Sequence, residues 1–105
     1  MYRFAVITDP ETATGFRLAG VEVREATTPQ EALEQLRQLV ALDYGLVAVN
    51  EALLEGTAEG RARLLRGRDL PILVPFPSPE AQAESAEQYV ARLVKEHIGF
   101  YVKLR

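Results

Sequence analysis

The 105-residue sequence contains no cysteine. Disulfides, thiolate metal sites and cysteine nucleophiles are therefore excluded. No apolar run approaches the ~18 residues that a membrane-spanning helix needs. The opening Met-Tyr-Arg-Phe-Ala-Val lacks the basic-then-apolar layout of a secretory leader. A basic surplus is missing as well: the net charge is -3, which provides no electrostatic footprint for nucleic acid. Lysine is scarce, with only Lys95 and Lys103, and His97 is the single histidine. One imidazole does not make a metal site of the usual kind. His97 is expected near a helix end, where a partly charged ring is favoured. These absences lead to the expectation of a soluble, cytoplasmic chain. Its length suits one domain with a modest core. About half of the residues are hydrophobic and a quarter are charged, as is ordinary for a globular protein.

The chain reads as strands alternating with helices. Phe4-Ala5-Val6-Ile7, Leu46-Val47-Ala48-Val49 and Leu70-Pro71-Ile72-Leu73-Val74-Pro75 are apolar runs that predict buried strands. Prolines are expected to bound the last of them. Val21-Glu22-Val23-Arg24 alternates and suits a short edge strand. Asp9-Pro10-Glu11 starts a helix with a cap, a proline at its first position and an acid at its positive end. That helix is expected to close near Gly20. Within it, Gly15 and Gly20 are read as allowing close packing, and Phe16 and Leu18 as filling space.

Thr28-Pro29-Gln30-Glu31 has capping-box spacing. Ala32, Leu33, Leu36, Leu39 and Val40 follow at helical spacing. A turn is expected at residues 52–54 and a helix around Leu64 and Leu65. Ser78-Pro79-Glu80 predicts a long final helix whose apolar stripe is Ala86, Tyr89, Val90, Leu93, Val94 and Ile98. After Gly99, the tail Phe100-Tyr101-Val102-Lys103-Leu104-Arg105 alternates. It reads either as a fifth strand on the domain's own sheet or as a docking arm.

This β-α-β-α-β-α-β-α pattern predicts an α/β fold. It is expected to be a small flavodoxin-like or receiver-like parallel sheet of four strands in the order 2-1-3-4, with helices on both faces. Residues 1–77 form the expected core. Residues 78–105 form a C-terminal helix and tail belonging to the same domain.

In this fold, chemistry belongs at the carboxyl ends of the strands. Those positions hold Thr8-Asp9, Asn50-Glu51 and Phe76-Pro77. A phosphoacceptor domain needs an acidic cluster for Mg²⁺, an acceptor aspartate after strand 3 and a lysine at a late strand end. Asp9 suits the first role. The acceptor position carries Asn50, a poor nucleophile, and both lysines lie at the C-terminus. Phosphotransfer is therefore not expected. The acidic turn Thr8-Asp9-Pro10-Glu11 repels phosphate and lacks a glycine-rich loop, so no nucleotide or flavin is expected. No catalytic, cofactor or metal residue is assigned. Arg61, Arg63, Arg66 and Arg68 cluster, and the favoured reading is a solvated face balanced by Glu59 and Asp69. The alternative for these arginines is a contact patch for an acidic partner.

The segment Asp9-Pro10-Glu11-Thr12 leading into Gly15-Phe16-Arg17-Leu18-Ala19-Gly20 resembles the F subunits of the V-type and A-type rotary ATPases. Leu46-Val47-Ala48-Val49-Asn50-Glu51-Ala52-Leu53-Leu54, Gly67-Arg68-Asp69-Leu70-Pro71-Ile72-Leu73 and Ile98-Gly99-Phe100-Tyr101-Val102-Lys103-Leu104 are similar to later segments of that family, closest to the bacterial enzymes. Residues 55–61 and 77–85 show no firm family pattern. The resemblance implies a non-catalytic rotor subunit of the central stalk, cytoplasmic and peripheral to the membrane. It implies a coiled-coil D subunit as partner, inside a ring of catalytic A and B subunits and joined to a membrane-rotor connector. Torque transmission and regulation of ATP turnover coupled to proton or sodium transport follow from the same resemblance. The candidate partner face is Tyr89, Leu93, Ile98, Phe100 and Val102. Two other readings are a degenerate receiver-like signalling module and a small enzyme using Asp9 and Glu51.

Overall fold

The computed structural model describes residues 3–78. Four strands, β1 (Phe4–Thr8), β2 (Val23–Glu25), β3 (Leu46–Asn50) and β4 (Ile72–Phe76), form one sheet. Three helices join them: α1 (Pro10–Leu18), α2 (Pro29–Ala41) and α3 (Ala58–Leu65), the last preceded by a 3-10 turn at Glu51–Leu53. The sheet order is β2-β1-β3-β4 and every pairing is parallel. The expected strand order and class are borne out. The expected final helix and tail lie outside the described residues.

The apolar runs of β1 and β3 divide by parity, because side chains alternate across a sheet. Ala5, Ile7, Val47 and Val49 enter one core with Leu36, Leu39 and Val40 of α2 and with partly buried Leu64 and Leu65 of α3. Val6, Leu46 and Ala48 enter the other core with Phe16 of α1 and Phe76 of β4. The rings of Phe16 and Phe76 meet edge to face, with centroids 5.3 Å apart. Helices thus cover both faces.

The helix ends follow local chemistry. Asp9 caps α1 by accepting from the Thr12 N–H at 3.0 Å, with Pro10 in the first position. Thr28 caps α2 through the Glu31 N–H at 3.1 Å. The Glu31 carboxylate reaches one residue further back than a standard capping box, accepting from the Thr27 N–H at 2.7 Å. Both helices end in the same Schellman pattern. In α1, Gly20 N–H donates to Arg17 C=O and Val21 N–H to Phe16 C=O, each at 3.0 Å. In α2, Asp43 N–H donates to Val40 C=O and Tyr44 N–H to Leu39 C=O. Gly20 and Asp43 occupy the left-handed position, at φ 81° and 61°.

Several sequence expectations are corrected here. Gly20 is exposed, and it is needed for its positive φ rather than for close packing. Leu18 fills no space, being 66% exposed. Strand β2 starts at Val23, since Val21 is drawn into the Schellman turn. The β4 run is not buried: Ile72 is 48% exposed, Pro75 is exposed and only Phe76 is buried. The reason is position, because β4 pairs with β3 alone among the described residues. Pro75 also lies inside β4 instead of bounding it. The Ile72 N–H donates to Gly45 C=O on the β3 side, and backbone groups alternate along a strand. The nitrogen of Pro75 therefore turns away from β3, so no ladder bond to β3 is lost.

Candidate functional site

The carboxyl ends of β1, β3 and β4 converge on Asn50. Its side chain is buried at the end of the innermost strands. Nδ2 donates to Thr8 Oγ1 and to Asp9 Oδ1, both at 3.3 Å. Oδ1 accepts from the Ala52 N–H at 3.0 Å and from the Ser78 hydroxyl at 2.8 Å. Two donors and two acceptors are the full capacity of a carboxamide, and all four are engaged. Thr8, also buried, donates its hydroxyl to Asp9 Oδ1 at 3.2 Å.

Asp9 stays ionised in this cluster. Burial alone raises a carboxyl pKa, but hydrogen bonds from Thr12 and Thr8 outweigh it and hold Asp9 below its ordinary value. Its oxygens are turned onto the first turn of α1 and onto Asn50 and Thr8. Glu51, its suggested enzymatic partner, is exposed in the 3-10 turn. No hydrogen bond joins Asp9 to Glu51 among the described residues. The two carboxylates are thus a cap and a surface group, which leaves no acid–base pair.

The buried polar side chains of this corner, Thr8 and Asn50, are both engaged. Among the described residues, no buried side-chain nitrogen or oxygen lacks a hydrogen-bond partner. No group of three or more metal-ligating side chains gathers among them either. At the strand ends, where this fold elsewhere binds ligands, the polar side chains among the described residues bond to one another. The sequence alone pointed to Asp9 and Asn50 but not to their connection with Ser78, which was expected as a helix cap. Asparagine in place of an acceptor aspartate is the signal: it is the residue that both donates and accepts there.

At the opposite end of the sheet lies a second polar cluster that the sequence pattern did not reveal. The buried Tyr44 phenol donates to Glu22 Oε2 at 2.5 Å. Burial first, and then this bond and the Glu22 charge, push its pKa above the usual phenol value. The Arg3 guanidinium lies 4.3 Å from the Tyr44 ring centroid and 3.6 Å from Glu22. Arg24 stands 3.9 Å from the same carboxylate and donates to Gln35 and Gln38 of α2. This cluster ties β2 and the start of β3 to α2.

A family model described as ATP synthase (F/14-kDa) subunit matches residues 4–94. The chain belongs to that family. The F subunit of the V-type ATP synthase of Thermus thermophilus is 50% identical over 103 residues, covering 95% of this chain and 99% of its own length. The F subunit of the A-type ATP synthase of Methanothermobacter thermautotrophicus is 31% identical over 96 residues, covering 90% and 91%. The F subunit of the V-type ATP synthase of Fusobacterium nucleatum is 26% identical over 99 residues, covering 94% and 93%. The resemblance read from the sequence is thereby borne out, and the family match extends through the core and past Leu93.

The partner-face candidates Tyr89, Leu93, Ile98, Phe100 and Val102 all lie outside the described residues. No helix among the described residues is long and apolar enough to cross a membrane.

Proposed function

We propose that the protein is a non-catalytic subunit of the central rotor stalk of a V/A-type ATP synthase. It binds a coiled-coil D subunit and turns with it inside a ring of catalytic A and B subunits. Through a connector to the membrane rotor it helps transmit torque, and it regulates ATP turnover coupled to proton or sodium transport. The observation that carries this reading is the 50% identity to the F subunit of a V-type ATP synthase across 99% of that protein's length. The strand-end polar side chains agree with it, since Asn50 stands where a phosphoacceptor would need an aspartate and is bonded to Thr8, Asp9 and Ser78. Tyr89, Leu93, Ile98, Phe100 and Val102 are the side chains assigned to the coiled-coil contact.

The test mixes the full chain with the D subunit of the same organism and measures mass by light scattering after gel filtration. A stable one-to-one complex is expected. Two separate monomer peaks, with both proteins folded, would overturn the reading. A chain ended at Gly99 tests the tail, and unchanged affinity for D removes Phe100 and Val102 from the contact.

A further inference from the structure

Between α2 and α3 runs an open groove of about 330 Å³. One wall is Gln30, Leu33, Glu34 and Arg37, a stripe at i, i+3, i+4 and i+7 of α2. The facing wall is Gly60, Arg63 and Leu64 of α3. The helices approach closely here because α3 carries Gly60: a Cβ at that position would lie 2.6 Å from Leu33 Cδ2. Leu33 and Leu64 are both partly exposed in the groove. Two facing helical stripes with leucines at their centre are the shape that receives apolar side chains of a third helix.

The charges on the groove walls are paired, Glu34 with Arg37 and Arg63 with Glu59, and the loop after α3 adds Arg66 and Arg68. Residues 61–68 hold four arginines and no acid, in a chain whose net charge is -3. The structure tests the expected balance by Glu59 and Asp69. Glu59 pairs with Arg63, but Asp69 forms no ion pair among the described residues. Arg61 donates to the Thr57 hydroxyl at 2.9 Å. Arg66 and Arg68 are exposed and form no ion pair or side-chain hydrogen bond among the described residues. Gly67, at φ 73° with no atom within 4 Å of a would-be Cβ, separates them in an open loop. Unpaired guanidiniums on a loop steer and orient an acidic partner.

We infer that the α2–α3 groove and the arginine loop beside it form one docking surface for an acidic amphipathic helix of a partner protein. The groove takes its leucine-type side chains and the arginines take its carboxylates. Nucleic acid fits poorly, since among the described residues no aromatic side chain lines the groove to stack a base. The surface is built from residues of the described core, none of which belongs to the set assigned to the coiled coil, and does not depend on that assignment.

The test uses the full-length protein and a helical peptide with leucines at i, i+4 and i+7 and otherwise glutamate and alanine. A second peptide carries lysine for glutamate, and vesicles rich in phosphatidylserine are a third probe. Binding is followed by fluorescence anisotropy, and its location by amide and methyl chemical shifts. The acidic peptide is expected to bind and to shift Leu33, Gly60, Leu64 and Gly67. The doubly reversed Arg66→Glu/Arg68→Glu chain, altered only at exposed positions with no ion pair among the described residues, is expected to bind about tenfold more weakly. Raising salt from low to physiological strength is expected to weaken the native complex and not the reversed one. No binding of the acidic peptide, equal binding of the lysine peptide, shifts elsewhere, or capture by vesicles alone would each overturn the inference. Complex formation with D is scored separately, so failure of either idea is recognised independently of the other.

Discussion

The Asn50 carboxamide nitrogen stands 3.3 Å from Asp9 Oδ1, donating across the gap between the ends of β1 and β3. The same side chain accepts from Ser78, where the chain leaves β4. One side chain thus fastens three strand ends, and its two donated bonds, to Thr8 and Asp9, depend on an amide being present at position 50.

Asn50→Asp tests this directly. The substitution removes both donors and sets a second carboxylate against Asp9. The expected loss is about 2 kcal/mol at neutral pH, because partners are orphaned and like charges oppose each other. Repulsion raises the pKa of the new carboxyl in the folded state. A raised pKa costs stability above it, so the deficit should shrink as pH falls through that raised value and its electrostatic part should be gone below about pH 4. Urea unfolding of both proteins at pH 7 and pH 3.5 checks this, and a deficit equal at the two pH values contradicts it.

The native protein should respond to acid in the opposite sense. Hydrogen bonds hold Asp9 below its ordinary 3.8 and Glu31 below 4.5. Hydrogen bonds from Arg37 and Gln38 draw exposed Glu34 down to about 2. A carboxyl whose folded pKa is depressed stabilises fully above its unfolded value and loses that contribution as pH falls through the folded one. The melting temperature should therefore be flat above pH 4.5 as far as these groups decide it, and fall steadily toward pH 2. In Glu31→Gln the fall should be shallower, since one of the protonating caps is absent.

The Phe16–Phe76 contact joins α1 to β4, both rings being almost fully buried. Phe76→Ala or Phe16→Ala should cost about 3–5 kcal/mol. The double variant should cost less than the sum, with a coupling of about 1 kcal/mol from the edge-to-face geometry. Denaturant titration of the four proteins closes the cycle. Strict additivity would mean the rings fill space without interacting.

Legibility in the sequence followed the range of each interaction. Caps at Asp9 and Thr28 were readable because partner and cap lie three residues apart. The order of strands was readable because β-α alternation leaves few topologies. The exposure of β4 was not, since Ile72-Leu73-Val74 looks the same whether a strand is central or at the edge. The junction at Asn50 was half legible: its failure as a phosphoacceptor showed, but its bond to Ser78 spans 28 positions and appears only on folding. Likewise, the balance expected for the arginines of 61–68 was half legible, since Glu59 does pair with Arg63 four positions on. Sequence proximity to Asp69 did not become an ion pair among the described residues.

The end of α2 offers a gain rather than a loss of stability. Asp43 is exposed and sits at φ 61°, where an L-residue costs about 1–2 kcal/mol and aspartate is tolerated better than most. Its charge also lies against the negative end of the helix, a further penalty of about 0.3–1 kcal/mol. Asp43→Asn removes only the charge and should stabilise by a few tenths of a kcal/mol. Asp43→Gly removes both penalties. It also widens the unfolded ensemble, which returns roughly 0.5–1 kcal/mol, leaving a net gain of about 1 kcal/mol. The equivalent position in α1 already carries Gly20, so the two helix ends form an internal comparison. Gly20→Asp should be destabilising by a similar amount to the gain in Asp43→Gly. Thermal unfolding of the three single variants against the parent decides the point. If Asp43→Gly lowers the melting temperature while Gly20→Asp also lowers it, the Asp43 carboxylate contributes a bond that outweighs its backbone strain.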